Sequence, residues 1–335
     1  MRRIKLPFVA GVSVEFADRE LALRRVKEWA DRGIVKVQVI YGPEGCGKTA
    51  WLKQSAELLK DLGFEVVYID PLRRDFVAYT DLRDFIKRIA EATMEALGVA
   101  QLKLATLAID FVDYALKLGK RRVAILVDDV FQAIGLDKAA MYVKSLLNLI
   151  EYPPGSYERV LTVVTTSEGI SRREIGRHRW ADLIPMWNMP RDGFRELYDQ
   201  VPGGKLDFDD VWRLTGGNPK MFAELYNTNW DTRRIIMKLI EDKGITGYFV
   251  HRWRDWLREA VENPDVLWSP DSPEALVNEL VERNLIVYFL SERDPWFWVD
   301  TPPPERDLEL GIGRYVAWQT PMHKEAIRKA LEIYV

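Results

Sequence analysis

The stretch Gly42-Pro43-Glu44-Gly45-Cys46-Gly47-Lys48-Thr49 constrains the fold of this chain more than any other, because it fits G-x-x-x-x-G-K-[ST]. An apolar run, Val35–Tyr41, leads into it, and a helical pattern opens at Lys48. A strand that turns through a glycine-rich loop into a helix is the context the motif requires. The glycines permit a tight backbone path, whose N–H groups form an anion nest at a helix N-terminus. Gly42, Pro43, Glu44, Gly45, Cys46, Gly47, Lys48, Thr49 and Ala50 are therefore the expected phosphate-binding residues. Lys48 has the reach for β- and γ-phosphate oxygens, and the Thr49 hydroxyl can complete Mg²⁺ coordination. Cys46, the one cysteine of the chain, reads as a tolerated small residue, and alone it excludes a disulfide framework or a zinc site of cysteine pairs.

A second signal is Val123-Ala124-Ile125-Leu126-Val127-Asp128-Asp129, an apolar run ending in acid. Such a run describes a buried strand with carboxylates at its C-terminal end, the edge where open α/β sheets bind ligands. Asp128 is expected to hold Mg²⁺ through water, and Asp129 to orient or deprotonate an attacking water. Around these two strands, Glu65–Asp70, Val160–Thr166 and Leu183–Trp187 read as further strands. Amphipathic helices start between them near Asp18, Lys48, Asp81, Leu102, Asp137 and Ser171. This alternation predicts a parallel α/β sheet over residues 1–190. After Pro190 the pattern changes to short helices, giving a helical lid over 191–263. Residues 264–335 then read as helix, apolar strands Leu285–Leu290 and Trp296–Val299, a Pro-rich wing, strand Arg314–Trp318 and a final helix from Pro321, the pattern of a winged-helix domain. A chain of 335 residues suits two or three domains. No apolar run approaches the roughly 20 residues a membrane helix needs. Pro7, Glu15, Asp18 and Glu20 interrupt the basic N-terminus before it could act as a signal peptide, so a soluble, cytoplasmic protein is expected.

Taken together, these residues resemble P-loop ATPases of the AAA+ type, in particular the archaeal ATPase family related to the signal-transducing ATPases with numerous domains. Phe16-Ala17-Asp18-Arg19-Glu20-Leu21 is similar to the F-x-x-R-E-x-E-L box of that family, without its second acid. The box lies near the adenine in relatives, which implies Phe8, Val9 and Arg19 as base neighbours. Asp128-Asp129-Val130-Phe131-Gln132 resembles D-E-x-x-Q with Asp129 in place of Glu, one methylene shorter, which implies slow hydrolysis. The strand end Thr165-Thr166-Ser167 stands where relatives carry a polar γ-phosphate sensor, here Thr166. Gly216-Gly217-Asn218-Pro219-Lys220 resembles the element that opens the lid helix, implying Pro219 at the nucleotide and Lys220 pointing toward the γ-phosphate. An arginine finger from a neighbouring subunit is common in oligomeric relatives, with Arg159, Arg172, Arg173, Arg177 and Arg179 as candidates. The resemblance implies an ATPase using ATP/ADP and Mg²⁺, with nucleotide bound between the ATPase domain and lid.

Charge separates the possible partners. Residues 264–335 hold seven Lys/Arg against thirteen Asp/Glu, a net of −6, leaving the first 263 residues at +3. A DNA-reading winged helix needs cations that replace phosphate counterions. The expected wing instead carries Glu292, Asp294, Asp300, Glu305, Asp307 and Glu309. A protein partner or self-association is thus the expected role, with no membrane contact. A DNA-associated ATPase resembling archaeal origin-recognition proteins is the alternative, and a nucleotide-binding regulator with negligible hydrolysis is the third reading. Trp296 and Trp298, alternating along a strand, should face one side and pack on their own domain.

Overall fold

The computed structural model describes residues 2–167, 169 and 175–334. The helix expected from Ser171, with Arg172 and Arg173, lies outside the described residues. In chain order the elements are β1 (Lys5–Val9), β2 (Val12–Glu15), α1 (Glu20–Arg32), β3 (Val37–Gly42), α2 (Lys48–Asp61), β4 (Glu65–Asp70) and β5 (Asp75–Tyr79). There follow α3 (Arg83–Thr93), α4 (Val99–Lys117), β6 (Arg122–Val127), α5 (Val130–Ile134), α6 (Ala139–Glu151), β7 (Arg159–Ser167) and β8 (Ala181–Pro185). The remainder comprises α7 (Arg191–Tyr198), α8 (Phe208–Thr215), α9 (Pro219–Asn227), α10 (Thr232–Asp242), α11 (Gly247–Arg252), α12 (Arg254–Glu262), α13 (Glu274–Glu282), β9 (Ile286–Tyr288), β10 (Val316–Trp318) and α14 (Pro321–Tyr334). The chain divides into two compact units. One holds residues 1–4, 20–41 and 48–184; the other holds 5–19, 42–47 and 185–335.

The first unit is built on a six-stranded sheet of order β5-β4-β6-β7-β3-β8. β4, β6 and β7 pair in parallel, whereas β5 pairs antiparallel to β4 as an edge strand. Every residue from Val123 to Val127 is buried, as a strand covered on both faces by helices must be. Helices α2 and α4 pack on β4, α4 also on β6, and α1 and α6 on β7. The core gathers Val37, Val39, Val67, Ile69, Phe111, Ile125 and Leu146, among others. Strand β7 lies between β3 and β6, so the strands leading to the glycine loop and to the acidic pair are not direct neighbours. The sheet is the α/β arrangement expected. The helix expected near Asp81 is α3, which starts at Arg83 with Leu82 at its N-cap, and Asp81 pairs with Lys120.

The second unit packs short helices around an aromatic cluster in which Phe194, Tyr198 and Phe8 all lie against Phe222. Asp207, Asn218, Asp231 and Thr246 cap successive helices through their side chains. Towards the C-terminus, β9 pairs antiparallel with β10, Val287 opposite Ala317. The expected strand at Trp296–Val299 is instead a 3-10 turn at Pro295–Phe297, because Pro295 follows an Asp294 whose carboxylate accepts from Trp296 N. Trp296 is consequently 71% exposed while Trp298 is buried, donating Nε1–H to the Glu292 carbonyl. The two rings do not share a face.

Candidate functional site

In the second unit, residues 42–47 form a glycine loop that leaves no room for side chains at two of its positions. A Cβ on Gly42 would stand 1.9 Å from the Met186 carbonyl oxygen. Gly45 adopts φ +78°, and a Cβ there would meet Lys220 Cβ at 2.2 Å. The loop is held from several directions within this unit. Glu44 N donates to Gln319 Oε1 at 2.9 Å, and its carbonyl accepts from Asn218 Nδ2 at 3.0 Å. Asn218 also donates to Asn188 Oδ1, and Asn188 to the Gln319 carbonyl. Arg19, buried, donates to the Cys46 carbonyl at 2.5 Å, to the Trp187 carbonyl at 3.0 Å and to Asp300 Oδ2 at 2.5 Å. Burial works against the charged guanidinium, but Asp300 outweighs it and keeps the Arg19 pKa above its ordinary value.

Lys220, the second residue of α9, donates from Nζ to Glu44 Oε1 at 2.5 Å, and its backbone N–H points at the Gly45 carbonyl. Lys243 Nζ contacts the other Glu44 oxygen at 3.1 Å. Burial alone would raise the Glu44 pKa; the Lys220 bond and the Lys243 charge outweigh it and bring it down to about 2. His323 is buried on α14 with its Nδ1 against Thr320 Oγ1 at 2.8 Å. Burial, reinforced by the Lys243 charge, lowers its pKa to about 3. Phe8 packs its ring on Phe222 at 5.1 Å, and Pro219 occupies the first turn of α9.

Within the first unit, Lys48 and Thr49 open α2 and Asp128 and Asp129 follow β6. Asp128 is fully buried, and each of its oxygens meets a hydroxyl: Thr165 at Oδ1 and Tyr68, 3.1 Å away, at Oδ2. Asp129 takes the left-handed conformation, φ +44°, a costly state for a non-glycine residue and one that collects at functional sites. Its Oδ1 is buried without a hydrogen-bond partner among the described residues. Burial, then the neighbouring Asp128, push the Asp129 pKa up to about 6, with Lys48 pulling the other way. Thr165 rather than Thr166 bonds the acidic pair; Thr166 Oγ1 donates to the Ser167 carbonyl. Asp70, at the end of the adjacent strand β4, brings a third buried carboxylate to the same edge, and Arg73 joins it there. The sequence held the signal for Asp70, since Glu65–Asp70 is also an apolar run ending in acid. Arg159 donates to the Asp31 and Glu158 carbonyls, and Arg177 and Arg179 are exposed.

Among the described residues, no three His, Cys, Asp or Glu are spaced to hold a metal ion on their own. Mg²⁺ keeps much of its water shell and takes one or two carboxylates together with substrate phosphates. The Thr49 hydroxyl and the Asp128 carboxylate are donors of that kind. No described helix is long and apolar enough to cross a membrane.

A family described as an ATPase domain predominantly from Archaea matches residues 16–225. No curated protein matches. Among solved structures, the chain is similar to the Aeropyrum pernix ORC2 protein in its ADPNP–ADP complexes, at 13% identity and TM-score 0.43 over 94% of this chain and 93% of that one. It is also similar to AMPPCP-bound DnaA from Aquifex aeolicus, at 18% identity and TM-score 0.38 over 75% and 70% of the two chains. A third similarity is to the Aeropyrum pernix ORC1 protein in complex with DNA, at 14% identity and TM-score 0.36 over 95% and 93%.

Proposed function

Because this chain belongs to the family of ATPase domains found predominantly in Archaea, we propose that it binds Mg²⁺·ATP on the loop Gly42–Thr49, hydrolyses it slowly and acts as a nucleotide-controlled switch. The observation that supports this best is the charged cluster of the first unit. Lys48, at the N-terminus of α2, faces an Asp129 whose buried Oδ1 has no hydrogen-bond partner among the described residues and whose backbone is held in a left-handed turn. In the proposed mechanism the N–H groups of the loop and Lys48 bind the phosphates. Thr49 and Asp128 would hold Mg²⁺, which when bound neutralises charge on the β- and γ-phosphate oxygens. Asp129 orients a water against the γ-phosphorus and takes its proton as the bond to the leaving ADP breaks, giving ADP and phosphate. Thr166 senses the γ-phosphate. The short reach of aspartate supports slow turnover.

The second unit supports the switch. Glu44 occupies both Lys220 and Lys243, and a terminal phosphate is a competing anion for Lys220. Gln319 reaches the loop at Glu44 N, and Asp300 reaches it through Arg19, so movement of the loop is felt in the C-terminal segment. We retain a lid at 191–263 and a winged-helix-like domain at 264–335 as the moving parts, and Phe8 and Val9 as base neighbours. Asp300 does not belong to an exposed acidic wing, but Glu292, Asp294, Glu305 and Glu309 are exposed. Those acids favour a protein partner over a duplex. A Lys48→Ala variant should lose the thermal stabilisation that ATP confers on the wild type, and equal stabilisation of both proteins removes the site assignment.

A further inference from the structure

Strand β4 ends in Asp70-Pro71-Leu72-Arg73-Arg74, and this turn aims a cation at the glycine-loop helix. Asp70 Oδ1 accepts from Arg73 N at 2.9 Å, closing an Asx-type turn, and Arg74 leaves it at φ +55°. The other carboxylate oxygen of Asp70 holds Arg73 Nη1 at 3.2 Å. The same nitrogen lies 3.4 Å from Thr49 Oγ1. Asp70 is 2% exposed at its side chain, so the anchor of this arginine is a buried carboxylate. The partial burial of the guanidinium lowers its pKa, but the charges of Asp70, then Asp128 and Asp129, outweigh it and keep the pKa above the ordinary value.

We propose that Arg73 is a second phosphate-binding cation of this site, supplied by the same chain and directed at the terminal phosphate of a nucleoside triphosphate. The inference rests on the nucleotide-binding reading above and deepens it. Three carboxylates, Asp70, Asp128 and Asp129, crowd an edge at which an anion must bind, and the loop motif itself supplies only Lys48 against them. A cation beside the Thr49 hydroxyl lies next to the side chain that would hold Mg²⁺ against the terminal phosphates in the reading above. It is therefore close to the group that ATP has and ADP lacks. Arginine suits the place because its planar fork can keep Asp70 on one edge and offer the other N–H groups to phosphate. Its side chain is 61% exposed, which leaves those groups reachable and makes truncation tolerable to the fold.

The test compares affinity for a non-hydrolysable ATP analogue and for ADP at saturating Mg²⁺, by displacement of a fluorescent nucleotide, in wild type, Arg73→Ala and Arg73→Lys. Arg73→Ala should weaken the triphosphate roughly tenfold or more while ADP changes by less than about threefold. Arg73→Lys should fall between, keeping the charge and losing the fork. The nucleotide-free melting temperature should stay near that of the wild type. A loss shared equally by both nucleotides, or no loss in either variant, overturns the assignment. If the wild type binds neither nucleotide, the underlying reading fails instead, so the two failures are distinguishable.

Discussion

Removing the guanidinium of Arg19 separates two roles that a base neighbour and an internal clamp would play. Arg19 and Asp300 are 3% and 2% exposed at their side chains and 2.5 Å apart. An Arg19→Ala substitution leaves the Asp300 carboxylate buried without this cation, and it removes the hydrogen bonds that Arg19 gives to the Cys46 and Trp187 carbonyls. Breaking one side of a buried pair costs about 3–5 kcal/mol. For a unit of this size each kcal/mol moves the melting temperature by about 2–4 °C, so a fall of about 6–20 °C is expected. The assay is nucleotide-free thermal unfolding followed by tryptophan fluorescence, apt because nine of the twelve tryptophans follow Pro185. An Arg19→Met/Asp300→Leu double variant should recover most of the loss, since no unpaired charge remains. If Arg19→Ala melts like the wild type and only nucleotide affinity falls, Arg19 touches the base and the clamp argument is wrong.

Asp129 carries a pKa near 6 in the fold against an ordinary 3.8, so the folded state holds its proton longer than the unfolded one. Stability therefore declines as pH rises through that window, by up to about 3 kcal/mol, and Asp129→Asn should melt higher than wild type at pH 7.5 while losing turnover. Thermal unfolding against pH checks this; no gain at pH 7.5 contradicts it. His323 has the opposite sign: its folded pKa near 3 lies below the ordinary 6.5, and the unfolded chain takes the proton first. Stability should fall as pH drops below 6.5, by about 2 kcal/mol at pH 5, and a His323→Gln variant should flatten that slope in acid titrations. Gly45→Ala must place a Cβ 2.2 Å from Lys220 Cβ at φ +78°. It should lower the melting temperature and ATP affinity together, by about 1–3 kcal/mol in the fold.

Local patterns were legible in the sequence, and distant ones were not. The glycine loop and Asp128-Asp129 each declare themselves within eight residues, because a strand end and a helix start must be written locally. The change to short helices after Pro190 was legible too, because each helix carries its own apolar period, as α10 does over Thr232–Asp242. The clamp on the loop was hidden: Arg19 meets a partner 281 positions away, and Glu44 meets Gln319 across 275. Nothing in a single sequence ties such residues together. The acid count of the C-terminal segment was right in sum but not in place, since Asp265 spends its carboxylate on the N–H groups of Arg314, Tyr315 and Val316 and Asp300 on Arg19. The Trp296 strand failed because an Asp-Pro turn outweighs the β preference of three aromatic residues.

Phosphate release from ATP, measured for the wild type, for Lys48→Ala and for the wild type with Mg²⁺ chelated, tests the central claim most directly. Slow release by the wild type alone, with both comparisons at background, is the predicted result. Release that persists at the same rate in Lys48→Ala or without Mg²⁺, or no release by any of the three, contradicts an ATPase built on this loop.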